Sequence, residues 1–412
     1  MPTLYLNNFR GFKETFLPLK NVNFFVGENS TGKTSVLKVI ELLASQKFWE
    51  TFEFNGEYVE LGHFSEIANN GYDFFEIGFF NEQIGYGIKL TFVSEDGLAA
   101  LRELMFTIND TTVICKIEKL KLSYASINQK FDEKKWFQTK LSFSEFTDRK
   151  MNKFSTIHNE IFSILLSIFQ RATMKDTAIT LIFSPQAAFV NGIAWLAPIR
   201  TEPRRTYDSY RRAFNPDGTH TPYILKDLLS NGKKQKVQEI IQKFGQESGL
   251  FEKIEIVAFE QSDTSPFEIR FYLNGQPLKI TNVGYGISQV LPIITEIVSR
   301  PENSWFAIQQ PEIHLHPKAQ AAFGEFIFSF LAENKNFIIE THSDYIIDRF
   351  RLCTNRSETV SEEQSQVVFF QRTEQGNKLT LIPIAADGSY PEDQPKEFQE
   401  FFIKEQLNLL SI

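Results

Sequence analysis

The sequence predicts an α/β fold: a mixed sheet carrying a phosphate-binding loop, an antiparallel β subdomain and a helical insertion. Three observations predict it. A short apolar run, NVNFFV, feeds directly into GENSTGKTS and then into the helical pattern SVLKVIELLAS. Strand-like segments separated by the turn signals NNGYD and SEDG fill residues 53–115. Far along the chain, the apolar runs WFAI and NFII each stop abruptly at polar residues, as buried strands do.

The elements follow in order. TLYLNNF alternates like a strand, turns at Arg10–Gly11, and a second extended segment leads to NVNFFV. Residues 1–119 form the first part of the core, with the loop and the β subdomain. Over residues 120–185 the charged clusters DEKKW and DRKMNK alternate with helical spacing, as in IHNEIFSILLSIFQRA, so a mainly helical insertion is expected there. Residues 186–412 return to the core through the strand-like LIFS and IAWLAPI at that boundary. The polar stretch RTEPRRTYDSYRRAFNPDGTHTP reads as a functional loop. Neither a repeat nor a heptad run long enough for an extended coiled coil is present.

Composition bounds the function. Among 412 residues, 42% are hydrophobic and 23% charged, which are globular values, and the 42 phenylalanines read as core filling. The net charge of −8 weighs against a protein whose main task is to grip naked nucleic acid, while a local basic patch stays open. Cys115 and Cys353 make neither a metal framework nor a disulfide scaffold. The N-terminus does not read as a signal peptide, and no apolar run reaches the roughly 18 residues of a membrane span. A cytoplasmic protein without membrane contact is expected.

Gly27, Glu28, Asn29, Ser30, Thr31, Gly32, Lys33 and Thr34 satisfy G-x-x-x-x-G-K-[ST], and Ser35 continues into the helix. The glycines let backbone N–H groups curl around phosphates, and the helix N-terminus adds positive potential. Lys33 would reach the β- and γ-phosphates of ATP, and the Thr34 hydroxyl would ligate Mg²⁺. In NFIIETHSDYIID, His342 stands at a strand end where it could touch a γ-phosphate; the alternative is a helix cap with an incidental histidine. In TNVGYGISQVLPIITEIV, Gly284, Gly286 and Ser288 precede an amphipathic helix, offering an anion site or a plain turn.

The order of these pieces, GENSTGKTS, VGYGISQVLP, WFAIQQPEIHLHP and ETHS, resembles the ABC-type ATPase heads and, more narrowly, the OLD-like and RecF-like AAA ATPases. LYLNNFRGF, WLAPIRTEPRRTY and GSYPEDQPKEFQEFF extend the likeness over nearly the whole chain. The resemblance implies a P-loop NTPase of ABC-ATPase type working as a homodimer or higher oligomer closed over ATP. It makes Lys33 and Thr34 the Walker A lysine and magnesium ligand. Gly284, Gly286 and Ser288 become a signature segment for ATP on a second protomer, and His342 the switch histidine.

Gln309 and Gln310 depart from that pattern, standing where the family usually has the Walker B acid and the catalytic glutamate. An amide at 309 can orient a metal-bound water through its carbonyl but brings no charge. Gln310 can orient water; as a base it has essentially no proton affinity, a loss of roughly 10²–10⁴-fold in chemistry. A slow ATPase that uses ATP as a clamp, compensation by Glu312, and a deliberate acid-to-amide change all stay open, although Glu312 reads more as a residue that fixes the loop. His314 and His316 read as a turn into the next helix, not a zinc site. Arg200, Arg204, Arg205, Arg211 and Arg212, with Tyr207 and Tyr210, offer contacts to ATP or the opposite protomer, a solvated rim, or less readily nucleic acid.

The resemblance further implies an ATP-gated switch that senses a trigger and controls a separate effector, a nuclease or toxin, in anti-phage defence or toxin control. No TOPRIM-like D-x-D set follows His342. A RecF-like DNA-binding repair ATPase and a scaffold with ATP as a standing ligand are the alternatives.

Overall fold

The computed structural model describes residues 2–56, 59–82, 85–108, 111–118, 121–128, 132–139, 147–150, 192–208, 213–230, 235–260, 265–357 and 364–403. The helix expected from IHNEIFSILLSIFQRA and the strand expected from LIFS lie outside these residues. The chain divides into two compact units. One comprises residues 1–19, 28–192 and 370–379, and the other residues 20–27, 193–369 and 380–412.

The chain begins with β1 (Pro2–Asn7), β2 (Thr15–Pro18) and β3 (Val22–Gly27), the last belonging to the second unit. The first unit continues with the helices α1 (Lys33–Ala44), α2 (Gln46–Thr51) and α3 (Phe64–Ile67). Then come β4 (Phe74–Asn81), β5 (Tyr86–Glu95), β6 (Leu98–Ile108), β7 (Thr111–Glu118), β8 (Lys121–Asn128), helix α4 (Glu133–Gln138) and β9 (Thr147–Lys150). Eight of these strands form one antiparallel sheet in the order β2-β1-β4-β5-β6-β7-β8-β9. At the β5–β6 turn, Asp96 and Gly97 both take positive φ, 52° and 81°, which is the twist a two-residue hairpin needs.

Phenylalanine fills this unit as its abundance suggests. Phe54 meets Phe48, Phe75 and Phe92 at centroid separations of 5.5, 5.4 and 4.8 Å, all edge-on. Within the span 120–185, expected to be mainly helical, the described residues form the strands β8 and β9 and the helix α4, and most of the rest of the span lies outside the described residues. In β8 the side chains follow a period of two that charged neighbours disguise in the sequence. Ser123 and Ala125 are buried, Tyr124 is half-buried and Ser126 exposed.

In the second unit, β10 (Ile193–Leu196) is followed by α5 (Thr221–Ser230), α6 (Gln235–Ser248), β11 (Lys253–Ala258), β12 (Phe267–Leu273) and β13 (Gln276–Lys279). Then come α7 (Tyr285–Ser299), β14 (Trp305–Gln309), α8 (Pro317–Ser329), β15 (Asn336–Glu340), α9 (Asp344–Asn355), β16 (Ser365–Thr373), β17 (Gly376–Pro383) and α10 (Lys396–Phe401). The tips of β16 and β17 are counted with the first unit. The main sheet has the order β10-β14-β15-β3-β16-β17, and its first four strands are parallel. Every residue of β3, β14 and β15 is buried, which explains their unbroken apolar runs. A separate antiparallel sheet joins β11, β12 and β13.

Register does the positioning. It sets Gln309 opposite Glu340 and Glu340 opposite Phe25, so β14, β15 and β3 finish along one edge. Carboxyl ends of parallel strands are where open α/β sheets place ligands. Among the described residues no helix is long and apolar enough to cross a membrane.

Candidate functional site

β3 ends at Gly27 and hands the chain to the loop in the first unit. Ser30 (φ 62°) and Gly32 (φ 95°) both take the left-handed region. A Cβ on Gly32 would stand 2.6 Å from the Phe12 ring and 2.8 Å from Asn377 Nδ2, so both conformation and packing demand glycine. Lys33 is buried, and its Nζ donates to the Glu28 carbonyl at 2.7 Å, the carbonyl that also accepts from the Thr31 hydroxyl at 2.8 Å. Among the described residues no side chain caps the start of α1, which leaves its N-terminal dipole directed into the loop.

Arg10, from NFRGF, supports the loop from behind. Its Nη1 donates to Ser35 Oγ at 2.6 Å and its Nη2 to the Leu61 carbonyl at 3.3 Å. Burial lowers its pKa, and Glu66 opposes that shift. Sequence reasoning took Arg10–Gly11 as a turn and missed this role, because the contact to Ser35 has no local signature. Glycines at positive φ, a buried lysine and an uncapped helix together fit a polyphosphate.

The second unit assembles Gln309, Gln310 and His342. Gln309 is buried, and its Nε2 donates to Glu340 Oε2 at 3.1 Å. Gln310 adopts φ 41° and donates its N–H to the Glu340 carbonyl at 2.8 Å. Glu312 accepts the Thr341 hydroxyl at 2.8 Å and the His342 N–H at 2.7 Å. Burial pushes its carboxyl up; those bonds oppose the shift and the charge of Glu340 adds to it. Glu312 therefore fixes the turn that bears His342, the second of its two expected roles. Ser343 caps α9 by accepting the Ile346 N–H at 3.2 Å and donates to Gln320 Oε1 at 2.6 Å.

Glu340, which accepts from both glutamines, is a partner that sequence reasoning overlooked. Its signal was an acidic residue closing a buried run in NFIIE.

Residues 284–288 pack on the turn after β14. Gly284 precedes α7 in open space, whereas a Cβ on Gly286 would lie 2.5 Å from the His314 carbonyl oxygen. The buried Ser288 donates its hydroxyl to the Tyr285 carbonyl at 2.7 Å. His314 meets the Tyr285 ring edge-on at 4.8 Å, and His316 caps α8 by accepting the Ala319 N–H at 3.3 Å.

The basic segment is not a single patch. Arg200 is 2% exposed and turned inward, Arg204 and Arg205 are exposed, and Tyr210, Arg211 and Arg212 lie outside the described residues. Arg200 Nη2 donates to the Gln309 carbonyl at 3.0 Å, while its Nε and Nη1 have no hydrogen-bond partner among the described residues. Gln289 of α7 holds its backbone, accepting the Arg200 N–H at 3.2 Å and donating to its carbonyl at 3.4 Å. Burial lowers the Arg200 pKa to about 10 against the pull of Glu312.

The glycine-rich loop that follows β3 and a sheet with four parallel strands define a nucleotide-binding ATPase domain of α/β class. The chain belongs to the family described as "AAA domain, putative AbiEii toxin, Type IV TA system", whose model matches residues 22–348. Among curated proteins none matches the chain. Solved structures similar to it include an Smc head bound to the C-winged helix domain of ScpA, at 12% identity and TM-score 0.45, covering 93% of this chain and 97% of that one. Another is the SMC head domain from Thermotoga maritima, at 12% identity and TM-score 0.37, covering 92% and 97%. A third is an Smc head with an extended coiled coil bound to the C-terminal domain of ScpA derived from Pyrococcus furiosus, at 12% identity and TM-score 0.44, covering 100% and 99%.

Proposed function

We propose that the chain is an ATP-gated switch of ABC type, OLD-like in character, that closes as a homodimer or larger homo-oligomer and controls a separate effector. The observation that carries this reading is the loop at Gly27–Ser35. Its left-handed Ser30 and Gly32, buried Lys33 and uncapped helix are built for a polyphosphate. In this reading Lys33 and Thr34 hold the phosphates and Mg²⁺, and bound Mg²⁺ supplies Lewis-acid charge neutralisation on the phosphates. Gln309 orients a metal-bound water, Gln310 orients the attacking water, and His342 senses the γ-phosphate. Gly284 opens the signature helix toward a partner protomer, with Gly286 and Ser288 shaping its first turn. With amides at 309 and 310, turnover is slow and ATP serves chiefly as a clamp. The effector is a nuclease or toxin on another chain; the family's description, which names a type IV toxin–antitoxin system, supports a toxin–antitoxin setting but assigns the toxin to no separate chain.

The test compares the full chain with its Lys33→Ala variant for ATP binding, turnover and ATP-dependent mass in solution. Binding and dimer formation that require both Lys33 and ATP support the switch. An assembly indifferent to nucleotide would replace it with a standing scaffold, and ATP-dependent DNA affinity would bring forward the RecF-like alternative.

A further inference from the structure

We propose that Arg200 is a positioning residue that competes with the Thr341–His342 turn for the carboxylate of Glu312, so that the same acid holds His342 in one arrangement and releases it in another. Every residue involved lies in the second unit. The inference goes beyond the switch reading above and does not depend on nucleotide.

An arginine side chain carries five N–H donors and no acceptor. That of Arg200 is buried, and of its nitrogens Nη2 alone is bonded among the described residues, to the Gln309 carbonyl at 3.0 Å; Nε and Nη1 have no partner there. A buried cation in that condition draws an anion. Glu312 is the anion at hand, and its charge opposes the effect of burial on Arg200. It stands three residues past Gln309, in a turn closed by the Ile313 N–H on the Gln310 carbonyl at 3.3 Å. Gln289 of α7 holds the Arg200 backbone through both its N–H and its carbonyl, which leaves the Glu312 side chain as the member that turns.

In the arrangement described, Glu312 is engaged elsewhere. Its Oε2 accepts the Thr341 hydroxyl at 2.8 Å and its Oε1 the His342 N–H at 2.7 Å. So oriented, the carboxylate reaches neither Nε nor Nη1 of Arg200, and pairing with them requires it to turn away from the loop. What that turn releases is narrow. The Thr341 N–H stays on the Phe25 carbonyl at 3.1 Å, the Thr341 hydroxyl still accepts the Ser343 N–H at 3.0 Å, and the Ser343 hydroxyl stays on Gln320 Oε1 at 2.6 Å. The loop is thus pinned on both sides of His342, whose N–H is the backbone donor that loses this acceptor.

Amide hydrogen exchange at His342, followed by NMR on the full chain without nucleotide, reads the competition. The unaltered chain is compared with Arg200→Met, Glu312→Gln and the double variant. Arg200→Met removes the rival and should slow His342 exchange by roughly 10–100-fold, the factor that one charge-assisted hydrogen bond carries. Glu312→Gln should speed it, because an uncharged acceptor holds the loop less well. On that background Arg200→Met should add nothing, since the contested carboxylate is gone. The sign separates competition from plain support of the β14 end: removing a guanidinium that only props Gln309 leaves His342 exchange unchanged or raises it. Either result overturns the proposal, as does an equal effect of Arg200→Met in both backgrounds. The Thr341 amide is the control, and slowing there in step with His342 would mean a general stiffening and overturn the proposal as well. If Arg200→Met does not fold, Arg200→Gln takes its place, removing the charge that draws Glu312, and the same slowing is required of it.

Discussion

Gly32→Ala asks more of the molecule than a methyl group suggests. Two separate penalties meet at this position. An L-residue at φ 95° leaves its allowed region, at a cost of about 1–3 kcal/mol. The new Cβ also lands 2.6 Å from the Phe12 ring, and that ring cannot retreat: Phe12 is fully buried and rests edge-on against Phe370 at 6.3 Å. Overpacking of this kind adds about 1–3 kcal/mol, for a sum of about 2–6 kcal/mol. Gly71→Ala separates the two effects. Gly71 has φ 85°, and nothing lies within 4 Å of its Cβ position, so it carries the conformational cost alone. Urea unfolding of the two variants, followed by binding of a fluorescent ATP analogue, makes the comparison. Gly32→Ala should unfold at distinctly lower urea than Gly71→Ala and lose the analogue. Equal midpoints, with binding kept in both, would refute the claim that Phe12 shapes the loop.

Two further outcomes follow from buried charges. Arg200→Met gives up one charge-assisted bond to the Gln309 carbonyl, worth about 1.5–3 kcal/mol, but removes two buried nitrogens, Nε and Nη1, without partners among the described residues, each costing about 1–3 kcal/mol. Its thermal midpoint should therefore hold or rise while turnover falls; a loss of more than about 2 kcal/mol would show that the guanidinium is structural. Glu296 sits between His220 and Arg300; burial raises its carboxyl pKa, but the bonds from those two residues outweigh burial and leave it below the usual value of 4.5. A lowered native pKa gives stability that is complete above the unfolded pKa and lost as pH falls through the native one. The urea midpoint of the unaltered chain should drop with acid below about pH 4.5. In Glu296→Gln that part of the slope should be missing.

The sequence disclosed whatever was local. A strand, a glycine-rich loop and a helix lie within about twenty consecutive residues, so NVNFFVGENSTGKTS announced both the sheet and the phosphate loop. Glu340 was hidden because its partner is 31 residues away and the pairing depends on strand register; a slip of one residue would send its side chain to the other face. Arg200 was misjudged for a related reason. Its neighbours in RTEPRR are polar, so it read with Arg204 and Arg205 as one basic cluster, and nothing in that stretch says which guanidinium turns inward. β8 was lost to composition, since the charged residues that follow it drew the reading toward a helix. Long-range partnership, and not weak local propensity, accounts for most of what was missed.

The hydrogen bonds of the second unit bear on how a slow ATPase could still act as a switch. Gln289 on α7 holds the Arg200 backbone, and the Arg200 side chain holds the end of β14 at Gln309. Gln309 and Gln310 both bond Glu340, one through the side chain and one through the backbone. Glu312 then ties the same turn to Thr341 and His342, and Ser343 ties that loop to Gln320 on α8. Three motifs far apart in sequence are thus one bonded body, with Gly286 beside the His314 carbonyl, where an added Cβ would stand 2.5 Å from the oxygen. A displacement of α7, where the proposed partner protomer would press, must carry Gln309 and His342 with it or break buried hydrogen bonds, at about 1–3 kcal/mol for each polar group left unsatisfied. In the proposed switch such a body would respond to occupancy of the site without needing rapid chemistry. There the amide at 309 keeps its side-chain bond to Glu340, and the amide at 310 removes the base that would end the occupied state quickly.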